Sequence, residues 1–92
     1  MGRLSEAEIE ERLGGVAWER DGDRIVRERK LADFAAAIAF VNQVADAAEA
    51  VNHHPDILVH GWNRVRLELT NHSEGGLTEA DFDLARTIDG LD

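Results

Sequence analysis

The sequence predicts an α+β fold, a single domain in which a four-stranded antiparallel sheet has three helices packed on one face. Three observations carry this prediction. Two capping boxes, Ser5 with Glu8 and Thr78 with Asp81, open helices near the two ends of the chain. From Asp33 to Val51 an alanine-rich stretch sets Phe34, Ile38, Val41, Ala45, Ala48 and Val51 at three- and four-residue steps, the period of an amphipathic helix. Short strand-like segments separated by turn residues fill the intervals. The resulting order α, β, β, α, β, β, α with hairpin-type connections gives an antiparallel sheet covered by helices.

The first helix starts at Ser5, is stapled by Leu4 and Ile9, and carries Ile9 and Leu13 on one face. Gly14-Gly15 stops it. Val16 to Arg20 and Ile25 to Arg29 then flank Asp21-Gly22-Asp23, a hairpin signal. Asp33 is the expected N-cap of the long helix. Pro55 disfavours the α region at His54, so that helix must end by about His53. Ile57 to His60 forms a third strand. In the fourth, Val65, Leu67 and Leu69 alternate with Arg64, Arg66, Glu68 and Thr70, giving one buried and one wet face. Asn71 to Gly76 has loop composition. The last helix follows Thr78, is stapled by Leu77 and Phe82, and runs through Leu84 and Ile88 to about Asp89. Neither a repeat nor a linker interrupts residues 1–92. The free face and edges of the sheet are available for self-association.

Ten basic and nineteen acidic side chains give a net charge of -9, which repels phosphate backbones and anionic lipid heads. Nucleic acid and membrane are therefore not the expected partners. No window approaches the roughly 20 apolar residues of a membrane span. The opening MGRLSEAEIEERL lacks the apolar run of a signal peptide, and Glu6 stands where N-myristoylation requires Ser or Thr. The absence of cysteine excludes disulfides and thiolate metal sites and fits a reducing compartment, so the cytoplasm is the expected location.

The stretch Val51-Asn52-His53-His54-Pro55-Asp56-Ile57 holds two of the four histidines at a rigid helix-to-strand corner. Three readings are open: a loop corner with two solvated rings, a metal site, or a proton-transfer site. Adjacent histidines do not have the four-residue spacing of helical zinc ligands, and no cysteine can complete a coordination sphere, so no metal is expected. Imidazole, with an unperturbed pKa of about 6.5, gives or takes protons near neutrality. Proton transfer needs partners. His72 lies in a glycine-bearing loop, and Glu49, four residues before His53, is placed to orient or charge-balance that ring. Asp81 is explained by capping alone, Trp62 reads as a core or sheet residue, and His60 as a surface residue with no role.

Taken jointly, Glu49, three residues, His53-His54-Pro55, six residues, Trp62, nine residues, His72, eight residues and Asp81 resemble the signature of the pterin-4a-carbinolamine dehydratases. Trp18, the Asp33-Phe34 helix entry, Phe40 and Gly76-Leu77-Thr78 resemble that family's layout as well. The resemblance implies a hydro-lyase that removes water from 4a-hydroxytetrahydropterin to give quinonoid dihydropterin, in the recycling of tetrahydrobiopterin. It implies His53 and His72 as the acid-base pair and His54 as a ring that mainly binds the pterin. Glu49 would tune His53, while Trp62 and Asp81 would complete the substrate site. The reaction needs neither a metal nor a redox cofactor. The resemblance further implies a homodimer or homotetramer and, as the alternative function, a non-catalytic protein-binding, assembly or dimerisation factor on the same scaffold. Asn52 departs from the pattern, standing where an acidic residue often precedes the pair, and Trp62 fills a position often held by tyrosine.

Overall fold

The computed structural model describes residues 2–91. Helix α1 (Glu6–Leu13) opens on its capping box: Ser5 Oγ accepts the Glu8 N–H at 3.1 Å, and the Ser5 N–H donates to Glu8 Oε1 at 2.8 Å. Strands β1 (Glu19–Asp21) and β2 (Arg24–Lys30) form the hairpin, turning at Gly22, whose φ of +62° suits a residue without Cβ. Strand β1 is shorter than the predicted segment from Val16. The Ala17 N–H and the Trp18 indole N–H both donate to Asp89, each at 2.8 Å, so this stretch is tied to the last helix before it reaches the sheet.

Helix α2 (Phe34–Val51) begins where the Asp33 carboxylate accepts the Ala36 N–H at 2.8 Å. It ends at Asn52, which takes the left-handed conformation (φ 52°) that asparagine tolerates better than most residues. Strands β3 (Asp56–His60) and β4 (Arg64–Leu69) follow, and α3 (Glu79–Asp89) closes the chain. The predicted loop between β4 and α3 contains a short 3-10 turn, His72–Glu74, closed by a bridge between Asn71 and Gly76. The sheet order is β1-β2-β4-β3, antiparallel throughout.

Ile25, Val65, Leu67 and Leu69 line the inner face of the sheet. Against them pack Ala37, Phe40, Val44 and Ala48 of α2, Phe82, Leu84, Ala85 and Ile88 of α3, and Ile9 and Trp18. Register puts two charged residues on that same face, since Arg27 is opposite Leu67 and Arg29 opposite Val65. Both are matched. Arg27 Nη1 donates to Asp89 Oδ1 at 2.7 Å, while Arg29 lies 4.7 Å above the Phe40 ring and donates to the Leu91 carbonyl at 3.2 Å.

Two expectations are corrected here. Helix α2, at 18 residues, is long and apolar enough by length and composition to cross a membrane, because its alanines raise the average; here its buried stripe packs on the sheet. Trp62 is neither a core nor a sheet residue. It sits in the turn between β3 and β4 after Gly61, both at positive φ (58° and 55°), with 63% of its surface exposed.

Candidate active site

Topology gathers the motif residues at one end of the sheet. Asp56, the first residue of β3, pairs with Glu68, the penultimate residue of β4. The His53-His54-Pro55 corner that feeds β3 and the Asn71-His72 segment that leaves β4 therefore emerge on the same side. The bridge from Asn71 to Gly76 then returns the chain to Leu77 and Thr78, bringing in the first turn of α3. Trp62 lies beyond the far end of β3, roughly 15 Å away at about 3.3 Å per strand residue. Within one chain it cannot form a wall beside His53.

Asn52 redirects the chain, and the His53 N–H returns to the Ala48 carbonyl at 3.1 Å. The half-buried His53 ring then meets α3, with Nε2 at 2.6 Å from Asp81 Oδ1; the Asp81 side chain is fully buried. The other oxygen, Oδ2, accepts the Thr78 N–H at 2.8 Å and the Thr78 hydroxyl at 3.2 Å. Capping alone does not account for Asp81, contrary to the expectation from sequence, because the cap occupies one oxygen and the histidine the other. The expected partner of His53 is corrected too. Glu49 Oε2 lies 2.7 Å from Nε2 of His54, in an exposed pair with side chains 76% and 55% accessible. The left-handed turn at Asn52 takes His53 out of the helical register that would have set it above Glu49.

An ionised carboxylate only accepts hydrogen bonds, so the Asp81 contact puts the hydrogen of neutral His53 on Nε2 and leaves Nδ1 with its lone pair. Nδ1 has no hydrogen-bond partner among the described residues. A ring held this way can accept a proton at Nδ1, and the imidazolium formed is stabilised by the charge behind it. His53 lines a cavity of about 140 Å³ with Val51, Ala80, Asp83, Leu84 and Thr87, between the end of α2 and the outer side of α3. Enclosed ligand pockets usually span about 300–1,000 Å³, so this cavity has room for no more than an edge of a ligand of that size. A second hollow, about 410 Å³, meets the same Ala80 and is bounded by Leu4, Asn71, Glu74, Thr78 and Glu79. His54 and His72 are exposed and line neither hollow. On the rim, a hydrogen bond from Arg12 at 2.5 Å holds Glu79 below the usual carboxylate range. Among the described residues, no three histidine, aspartate or glutamate side chains are grouped to hold a metal ion. His60, given no role from sequence, pairs with Glu28 at 2.9 Å.

Comparison with known proteins finds relatives over nearly the whole chain. The family described as Pterin 4 alpha carbinolamine dehydratase matches residues 2–91. A protein of Roseiflexus sp. (strain RS-1), provisionally named pterin-4-alpha-carbinolamine dehydratase, is 56% identical over 90 residues, covering 97% of this chain and 96% of its own. One of the same provisional name from Chloroflexus aurantiacus (strain ATCC 29366 / DSM 635 / J-10-fl) is 58% identical over 92 residues, covering 99% and 98%. Among solved structures, a transcriptional coactivator/pterin dehydratase from Brucella melitensis superposes with a TM-score of 0.88 at 38% identity, covering 95% of each chain. A pterin dehydratase-like protein described as a RuBisCO assembly factor in the alpha-carboxysome shares the fold alone, with a TM-score of 0.64, 21% identity and coverage of 80% of this chain and 84% of its own. With its α-β-β-α-β-β-α order and a match spanning all but its first and last residues, the chain belongs to the pterin-4-alpha-carbinolamine dehydratase family.

Proposed function

We propose that the protein is a cytoplasmic dehydratase acting on 4a-hydroxytetrahydropterin, releasing water and quinonoid dihydropterin for reduction back to the tetrahydro form. The observation that supports this most is the contact of His53 Nε2 with buried Asp81, which leaves Nδ1 without a partner among the described residues on a ring that lines a cavity. In the reaction the C4a–O bond breaks, N5 loses its proton and the C4a=N5 double bond forms. His53 Nδ1 takes the N5 proton while Asp81 stabilises the resulting cation. His72, on its exposed turn, gives a proton to the departing hydroxyl, which leaves as water. Exchange with solvent then returns a proton to His72 and removes one from His53. His54, beside its Glu49 partner, binds the pterin. Positioned acid-base groups contribute about 10² to 10⁴ in rate, enough for a substrate that dehydrates slowly unaided. Stopped-flow measurement of carbinolamine loss with purified protein tests the proposal. Acceleration over buffer is expected, and a rate equal to buffer overturns it.

We also propose that the chain self-associates as a dimer or tetramer. Phe34, Ile38 and Val51 of α2 and Leu58 of the edge strand β3 are exposed apolar side chains on a protein whose charge otherwise favours solvation. Any part for Trp62 in substrate binding would require a second copy to carry it to the histidines. Light scattering should give a mass at least twice that of one chain; a monomer would remove this proposal.

A further inference from the structure

We infer that Thr78 is a positioning residue for His53, acting through Asp81, and that Asn71 sets the direction of the Thr78 hydroxyl; the inference rests on the proton-transfer reading of His53. The hydrogen-bond directions follow from Asp81, whose ionised carboxylate can only accept. The Thr78 hydroxyl that donates to Asp81 faces Asn71 Nδ2 at a long 3.5 Å, and Asn71 Oδ1 accepts the Ser73 hydroxyl at 2.8 Å. A hydroxyl facing a donor accepts there, and its single proton is left for Asp81 Oδ2 at 3.2 Å. With the Thr78 N–H at 2.8 Å on the same oxygen, the carboxylate has two donors fixing one end of its plane. Its remaining oxygen then has one orientation, towards His53 Nε2. Thr78 and Asp81 are both buried, and no buried side-chain nitrogen or oxygen among the described residues lacks a partner. Asn71 directly precedes His72, so the same line joins the segment carrying one proposed proton-transfer ring to the carboxylate that orients the other.

The test reads the His53 ring itself by long-range proton–nitrogen NMR on the full chain, which needs no substrate. Wild type should show the Nε2–H tautomer with a slowly exchanging ring proton. Thr78→Val should mix the tautomers, speed exchange of that proton at least tenfold, and lower kcat more than KM in the dehydration assay. Thr78→Ser, which restores the hydroxyl, should retain the wild-type ring signals. Asn71→Ala leaves both Asp81 contacts to Thr78 in place and should shift the ring signals in the same direction by less, which keeps the inference testable if the valine variant does not fold. A wild-type ring in the Nδ1–H tautomer, or ring signals unmoved in folded Thr78→Val and Asn71→Ala, would overturn it. Absence of dehydratase activity alongside the expected ring signals would instead refute only the proposed reaction.

Discussion

Asp81 contacts His53 Nε2 through one carboxylate oxygen at 2.6 Å, and caps the helix it stands on through the other. One side chain thus fixes both the start of α3 and the tautomer of the ring at the cavity. Asp81→Asn separates the two tasks. The amide oxygen can still receive the Thr78 N–H, but its NH₂ then faces His53 and forces the lone pair onto Nε2, moving the hydrogen to Nδ1. In stopped-flow assays kcat should drop by about 10² to 10⁴, the usual range for a lost acid-base group. Urea unfolding should show a loss of about 1–3 kcal/mol, the cost of weakening a buried charge-assisted bond.

The second prediction concerns Asp89. It receives the Ala17 N–H, the Trp18 indole N–H and Arg27 Nη1, so it pins the last turn of α3 to the first hairpin. A carboxylate at a helix C-terminus faces like partial charge, and only these donors make the position favourable. Asp89→Ala should cost about 2–4 kcal/mol in urea unfolding, because it leaves Arg27 and the indole N–H short of partners. Its effect on kcat, measured below the unfolding transition, should be much smaller than that of Asp81→Asn.

Sequence patterns disclose the elements much better than the site. Ser5, Asp33 and Thr78 mark all three helix starts because capping is local, settled within three residues. The alternation of Val65, Leu67 and Leu69 likewise marks β4. The partners of His53 and Asp89 depend on where distant elements come to lie, and no spacing rule reports that. Glu49 looked like the partner of His53 because helical register was extended through Asn52, where the chain turns left-handed. Trp62 looked like a core residue because it is large and apolar, yet a three-residue turn put it in solvent. One local sign of the pairing was present: a capping aspartate uses a single oxygen, which left the other unaccounted for in a buried turn.

The pH dependence of stability carries a third prediction. Hydrogen bonds from Arg24, at 2.5 Å, and from Arg66, at 3.0 Å, hold Glu68 below its ordinary value of 4.5. A carboxyl lowered on folding adds stability that is complete above the unfolded value and disappears as pH falls through the folded one. Glu68→Gln removes this contribution. The gap between the urea midpoints of wild type and variant should be widest above pH 4.5 and narrow as pH falls below it. A gap that stays constant would show that the pair adds nothing that depends on ionisation.

The exposed pair of His54 and Glu49 should behave differently from the buried one. Surface ion pairs contribute about 0–1 kcal/mol, so Glu49→Gln should leave the urea midpoint nearly unchanged. If His54 binds the pterin without moving a proton, His54→Ala raises KM more than it lowers kcat. A large fall in kcat at unchanged KM would assign His54 to the chemistry.

The most direct test is the single-turnover rate of carbinolamine loss for His53→Ala beside wild type, with circular dichroism confirming the fold. A fall of about 10² or more is expected, since the proposed base is the ring held by Asp81. A variant that keeps its fold and dehydrates the substrate at the wild-type rate would contradict the assignment of His53 as the group that takes the N5 proton.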